Sequence, residues 1–462
     1  MIDQKSTATE IAQAVSMGSV SAVEVTEAAL KRIEEGNPRL NAFSAVTAQR
    51  ARTEAAQIDA RRARGEPLGP LAGVPYAVKN LYDIAGLTTI AGSKIDAEEP
   101  PAASDATAVN RLKAAGAVLV GALHMDEYAY GFTCENSHYG PTRNPHDTDC
   151  VPGGSSGGSA SAVAGGLVPF SLGSDTNGSI RVPAALCGIF GLKPTYGRLS
   201  RGGAKLFAGS FDHIGPFARS VRDLAATYDA MQGPDSRDPV CQATEIEPTL
   251  PQLGRSLAGL RVAVAGGYFA PQGVDAALEA VQKVASALGA IKRVEIPQAE
   301  RARAAAFLVT GAEGANLHLD NIRKRPQDFD LGTRDRFIAG SLIPAVWVQQ
   351  AQRFRRWYRA QVLKLFAEVD IILAPATPGP APRIGDESMP IPGAQLPVRA
   401  NLGVFTQPLS FIGLPIVAVP VQREGSLPLG VQIIAAPWKE ATALRVAEAL
   451  ERQGVVSAPV AG

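Results

Sequence analysis

The sequence predicts an α/β protein whose central sheet is covered by helices on both faces. Three observations carry that expectation. Short runs such as Val74–Val78, Ala117–Val120 and Ile416–Pro420 are apolar throughout instead of alternating, as strands buried on both faces must be. Stretches with helical periodicity lie between such runs. The chain has 462 residues, 46% hydrophobic and 19% charged, enough for a large core with an ordinary soluble surface.

Residues 6–66 read as helical. Ser21 and Glu24 form a capping box ahead of an apolar-periodic run, Gly36 is expected to stop it, and 47–64 form another helix. Val74–Val78 is a buried strand with Lys79 at its end. A helix over Asp105–Ala115 ends at Gly116, and Ala117–Val120 returns as a strand. A small-residue helix is expected at Ala160–Ala164 and a strand at Leu167–Leu172. Further strands are expected at Arg261–Ala265, Asp370–Ala374 and Ile416–Pro420, with helices over 274–289, 345–367 and 439–453. The polar connection 233–258 separates stretches of similar pattern. One unit is therefore expected, made of a helical region 1–66, a catalytic core 67–232 and a remainder 259–462 that completes the sheet and the pocket.

Composition removes several function classes. Net charge is +1, so no basic stripe invites nucleic acid. The densest cluster, Arg353, Arg355, Arg356 and Arg359, reads mostly as a solvated helix face. Cys134, Cys150, Cys187 and Cys241 show no CxxC spacing, and the five histidines form no close-spaced set. Neither a metal site, a disulfide framework nor a cofactor is expected. The N-terminus lacks a signal-peptide pattern and no apolar run approaches 20 residues, so a cytoplasmic protein is expected.

The chemistry is concentrated in Gly153–Pro194, GGSSGGSASAVAGGLVPFSLGSDTNGSIRVPAALCGIFGLKP. Ser155 follows two glycines and Ser179 follows Asn177-Gly178. Backbone of that kind can aim consecutive N–H groups at one point, as an oxyanion hole requires. No histidine lies in the segment to act as base, so a Ser–Lys arrangement is the alternative. Lys79, at the end of an apolar strand, is the candidate. Desolvation there would lower its pKa from about 10.4 and let it accept a proton.

GGSSGGSA, GSDTNGSIR, CGIFGLKP and the upstream VKN are together similar to the amidase signature family. The likeness runs from LAGVPYAVKN through APATP (374–378) to GLPIVAVP (413–420), and the two serines have the family's spacing of 24 residues. The resemblance implies a large mixed, twisted sheet and a Ser–cisSer–Lys triad. Ser179 would be the nucleophile and Ser155, in a cis peptide, would pass its proton to Lys79. The N–H groups of Thr176, Asn177, Gly178 and Ser179 would form the oxyanion hole. Two positions depart from the family: Asn177 stands where Gly is usual, and Ser174 replaces Thr. Asp175 and Arg181 are expected to pair and brace the loop, and His213 is expected to be structural.

Within the family, 125–145 (MDEYAYGFTCENSHYGPTRNP) resembles the glutaminase subunit of tRNA-dependent amidotransferases. That likeness places a carboxylate-binding arginine at Arg355. The aspartate that would hold a substrate ammonium is missing: Gly403 stands there, and 390–420 contains no Asp. A small anionic amide without an α-amino group is the expected substrate. AGSKI, GPTRNPHDT, YDAMQGPD, RPQDF, AQRFRRWYR and IIAAPW resemble a subgroup acting on a carboxylated ureido amide. That subgroup works with a small accessory subunit similar to the amidotransferase C subunit, so a hetero-oligomer is expected. Tyr128, with Asp126 and Asn136, is expected to border the substrate. A tRNA-serving glutaminase, a general amidase and an inactive scaffold are the alternatives.

Overall fold

The computed structural model describes residues 2–270, 272–391 and 393–461. Its centre is an eleven-stranded mixed sheet. In chain order the strands are β1 Phe43–Val46, β2 Pro75–Lys79, β3 Val118–Leu123, β4 Phe170–Asp175, β5 Phe190–Lys193, β6 His213–Ala218, β7 Val262–Ala265, β8 Lys292–Val294, β9 Ile371–Pro375, β10 Ile416–Arg423 and β11 Ser426–Ala435. Across the sheet they run β1-β3-β2-β4-β6-β5-β10-β11-β9-β7-β8. Strands from both sides of the 233–258 connection enter this one sheet.

Helices flank it: α1 Ala8–Met17, α2 Ala22–Leu40, α3 Ala48–Ala63, α4 Thr107–Ala114, α5 Gly157–Ala164, α6 Arg181–Leu186, α7 Val221–Met231, α8 Asp275–Ala287, α9 Ala299–Leu317, α10 Leu331–Ser341, α11 Ala345–Leu365 and α12 Glu440–Arg452. Strands β2, β3, β4 and β9 bury every residue, which is why β3 and β9 read as unbroken apolar runs and β2 as one up to its terminal Lys79.

Two local expectations are corrected. Residues 6–66 are not helical throughout, because β1 interrupts them and pairs antiparallel with β3. Its four residues are too few to show a period. Gly36 does not end α2, which runs on through Pro38 to Leu40 and stops at Asn41 in the left-handed conformation. Gly36 is instead a contact point: a Cβ there would lie 2.7 Å from Leu167 Cδ2. The Ser21–Glu24 capping box forms as expected, with Ser21 N donating to Glu24 Oε2 (2.8 Å) and Glu24 N donating to Ser21 Oγ (3.0 Å).

Three strands place the site. β2 runs parallel to both β3 and β4, with Lys79 level with Leu123, and Val78 level with Leu172. Their carboxyl ends therefore open on one edge, the usual position for chemistry in such sheets. Helix α5 packs close against β4 because its residues are small. Ser159 Oγ donates to Leu172 O (2.9 Å) and Ser171 Oγ donates to Ser159 O (2.9 Å), while a Cβ at Gly158 would meet Ala42 O and His124 O at 2.6 Å.

Candidate active site

Lys79 is fully buried at the end of β2. Its Nζ donates to Ser155 Oγ (2.6 Å) and to Ser174 Oγ (2.9 Å). Burial pulls the amine down from its ordinary 10.5 to about 7; the surrounding carboxylates, Asp126 first among them, offset this in part. The Gly154–Ser155 peptide is cis. Ser155 O accepts from Asp126 N (3.2 Å), and the Asp126 carboxylate fills the space beside Gly154, where a Cβ would lie 2.1 Å from Oδ2. Burial pushes the Asp126 carboxyl up to about 6.

Beyond β4 the chain turns through Thr176–Ser179 into α6. Thr176 Oγ1 donates to Asp212 Oδ1 (2.5 Å), Asn177 O accepts from Thr406 Oγ1 (2.6 Å), and Gly178 O accepts from Val182 N (2.7 Å). Gly178 sits at φ 142°, and a Cβ there would come within 2.2 Å of Thr406 Oγ1, so only glycine fits. Asp175 and Arg181 brace the turn from below as expected. Both are fully buried and joined by two bonds, Nε to Oδ2 (3.0 Å) and Nη2 to Oδ1 (2.9 Å). Burial alone would raise the Asp175 carboxyl, but the Arg181 charge overrides it and holds it at about 2.

Among the described residues, the backbone N–H groups of Thr176, Asn177, Gly178 and Ser179 donate to no protein group, although all four residues lie in the buried interior. Buried backbone donors without partners are rare. Four in succession at a serine are available to an incoming oxygen. The Ser179 hydroxyl is likewise bonded to no other side chain, whereas Ser155 is bonded to Lys79.

His213 Nδ1 lies 3.1 Å from Asp175 O and its Nε2 lies 3.2 Å from Lys193 Nζ, a structural strut behind the turn. Asn136 pins the 125–139 loop. Its Nδ2 donates to Gly92 O (2.7 Å) and Met125 O (3.2 Å), and its Oδ1 accepts from His138 N (2.9 Å).

Both residues expected to contact substrate are also engaged within the chain. The Tyr128 hydroxyl accepts from Ser93 Oγ (2.8 Å) and donates to Asp96 Oδ1 (3.0 Å), while its ring packs on His318 and Phe337. Arg355 donates to Phe411 O (2.5 Å), Ser210 O (2.7 Å) and Ser210 Oγ (3.3 Å), and lies over the Phe211 ring. Every nitrogen is engaged with this chain's own groups. Arg355 lines a cavity of about 320 Å³ whose walls include Tyr196, Arg356, Arg359 and Trp438 but none of the triad. Its bonds to Ser210 lie in the turn before Asp212, which accepts from Thr176.

Arg336 on α10 is a second cation near Asp126, one that the sequence did not single out. Its guanidinium lies 3.7 Å from the Tyr130 ring centre and makes one hydrogen bond, from Nη1 to Tyr130 O (2.8 Å). Asp126 is among its charged neighbours. Among the described residues, Nε and Nη2 have no protein partner. A signal was present: Arg336 adjoins the buried stripe Thr333, Phe337 and Gly340 instead of facing outward.

Among the described residues no group of three or more His, Cys, Asp or Glu could hold a metal ion, and no helix is long and apolar enough to cross a membrane. The family model for amidases matches residues 24–444. AtzE, a 1-carboxybiuret hydrolase subunit of Pseudomonas sp. (strain ADP), is 56% identical over 449 residues, covering 96% of this chain and 98% of that protein. A glutamyl-tRNA(Gln) amidotransferase subunit of Azotobacter vinelandii is 40% identical, with 96% of each chain covered. A solved structure described as part of a vestigial protein complex that reveals the origins of an s-triazine catabolic enzyme superposes with a TM-score of 0.97. It is 55% identical and covers 98% of this chain and all of that one.

Proposed function

The chain belongs to the amidase signature family of C–N amide hydrolases, and from that premise we propose that it hydrolyses 1-carboxybiuret to 1,3-dicarboxyurea and ammonia through a Ser–cisSer–Lys acyl-enzyme. The observation that carries the reading is the pairing of a buried lysine, held near neutrality and bonded to Ser155, with four unpartnered N–H groups at Ser179.

In this mechanism neutral Lys79 takes the proton of Ser155 as Ser155 takes that of Ser179. The freed Ser179 oxygen attacks the terminal carbamoyl carbon. Negative charge builds on the carbonyl oxygen, which the unpartnered N–H groups of Thr176 to Ser179 would receive. The C–N bond then breaks. The leaving nitrogen collects the proton back through Ser155 and departs as ammonia. Water, activated by the same relay, releases the acyl group and restores Ser179.

The carboxylate is assigned to Arg336, whose free nitrogens offer the fork that a carboxylate matches. The absence of an aspartate across 390–420 removes the partner an α-ammonium would need. A small accessory subunit, similar to the C subunit of the tRNA amidotransferase, is part of the proposal. The relative's description as a subunit supports it. So do Leu342 (75% exposed), Val346 and Trp347 (52%), which leave an apolar ridge open where α10 meets α11. The chain is read as one amidase domain.

The test is ammonia release from 1-carboxybiuret, biuret, allophanate, glutamine and simple amides, with and without the accessory subunit. 1-Carboxybiuret should lead by at least tenfold in kcat/KM. Faster turnover of glutamine would replace the proposal with the glutaminase reading, which the 40% identical relative favours. Comparable rates on simple amides would indicate a general amidase. Failure of a fluorophosphonate to label Ser179 would leave only a scaffold.

A further inference from the structure

We propose that the Asn177 side chain accepts a hydrogen bond from the N–H on the acyl side of the scissile carbonyl, and so selects ureido amides over carboxamides. This deepens the function proposed above and rests on it.

Hydrogen-bond accounting fixes the orientation of the Asn177 amide. Thr310 Oγ1, on α9, spends its only proton on Ala306 O (2.8 Å). It can therefore only accept from Asn177, which places Asn177 Nδ2 against it (3.3 Å). The Oδ1 atom then points the other way. It is buried and has no partner, in a residue only 7% exposed and two positions before the nucleophile. A buried acceptor without a donor is costly, and folded proteins rarely retain one without use.

The missing donor has a defined place. The leaving nitrogen must face Ser155, which returns its proton and which is bonded to Lys79. Asn177 is fastened elsewhere, to α9 through Thr310 and to Thr406 through its backbone carbonyl. It therefore meets the acyl side of the carbonyl. A ureido group has an N–H at that position, whereas a carboxamide has a CH2.

A second unmatched group adjoins Thr406, the residue that holds the Asn177 carbonyl. Gln407, next to Thr406, has its Oε1 occupied by Arg303 Nε (2.7 Å), so its Nε2 is turned away. That nitrogen is also buried and without a partner, in a side chain only 1% exposed. Arg303 and Thr310 are seven residues apart on α9 and so lie on one face. One unmatched acceptor and one unmatched donor suit an –NH–CO– unit, the group that adjoins the scissile carbonyl in a biuret-type chain.

The test uses two stable ligands that differ by this one group. Hydantoate and succinamate each carry a terminal carboxamide nitrogen and a carboxylate at the same remove; the first has NH beside the carbonyl and the second CH2. Their inhibition constants against 1-carboxybiuret turnover are measured in the wild type, Asn177→Ala and Thr310→Val, the last leaving Asn177 in place but freeing its amide to rotate. Hydantoate should bind the wild type at least tenfold more tightly than succinamate. Asn177→Ala should bring the ratio to within about threefold of unity, and Thr310→Val should give an intermediate value. A ratio near one in the wild type, failure of hydantoate to compete, or a ratio unchanged by both substitutions overturns the inference. A wild type that turns over glutamine but not 1-carboxybiuret instead overturns the function on which it rests.

Discussion

Lowering the pH tests the proton path most directly, because the structure assigns a value to its terminus. At pH 7 a lysine with the ordinary pKa of 10.5 is neutral in about one molecule in 3,000, whereas Lys79, drawn down to about 7 by burial, is neutral in about half. Burial thus enlarges the base-competent population by about a thousandfold. The sign follows from the role. The amine must be unprotonated to accept, so reactivity is retained above pH 7 and lost below it. Between pH 8 and pH 5 the neutral fraction falls about 90-fold, with a limiting slope of one decade per pH unit. The second-order rate of fluorophosphonate labelling at Ser179 reports this without interference from the ionisation of a carboxylated substrate. An inflection near 7 is expected, together with a residual rate at least about 10³-fold lower in Lys79→Arg, which stays charged throughout. An inflection above pH 9, or a Lys79→Arg enzyme labelled at the wild-type rate, would refute the argument.

Other outcomes follow from named contacts. Arg181→Met strands the fully buried Asp175 carboxylate and should cost about 3–5 kcal/mol in urea unfolding. Gly178→Ala drives a Cβ into Thr406 and displaces the proposed oxyanion donors; kcat should fall by about 10²-fold or more with near-native circular dichroism. Arg336→Ala should raise KM for 1-carboxybiuret by about 10- to 100-fold while leaving biuret nearly unaffected, as loss of a charged hydrogen bond to carboxylate requires. Arg355→Ala should lower the thermal midpoint and reduce kcat for charged and neutral substrates alike, because it frees the Ser210 turn.

Much of the architecture was legible because the central strands are buried on both faces and so print continuous apolar runs, as at Val74–Val78. Strand β1 was not, since four half-buried residues between two helices carry no period. The Gly/Ser segment and the strand-end lysine could be read as chemistry because glycine-permitted turns and an isolated amine in an apolar run are both unusual. The substrate wall was harder. Arg336, Thr310 and Gln407 come from three segments that only the fold brings together, and each is unremarked in its own stretch. Arg355 shows the converse: an arginine at an expected position, three of whose five N–H donors the folded chain uses for Phe411 O and Ser210. A count along the sequence cannot see that occupancy.

The serine-stitched contact of α5 with β4 divides the molecule by its tolerance for change. On that side, neighbouring oxygens lie so near Gly158 and Gly154 that any added methyl collides with them, and the relay is cast in a mould without slack. On the opposite side, α9 and the 401–407 turn reach the 176–179 turn through the side chains of Thr310 and Thr406. New amide preferences should therefore be obtainable by rewriting residues 303, 310, 336 and 407 while the catalytic half is left untouched, and a library built across Gly153–Ala164 should return almost nothing but inactive protein.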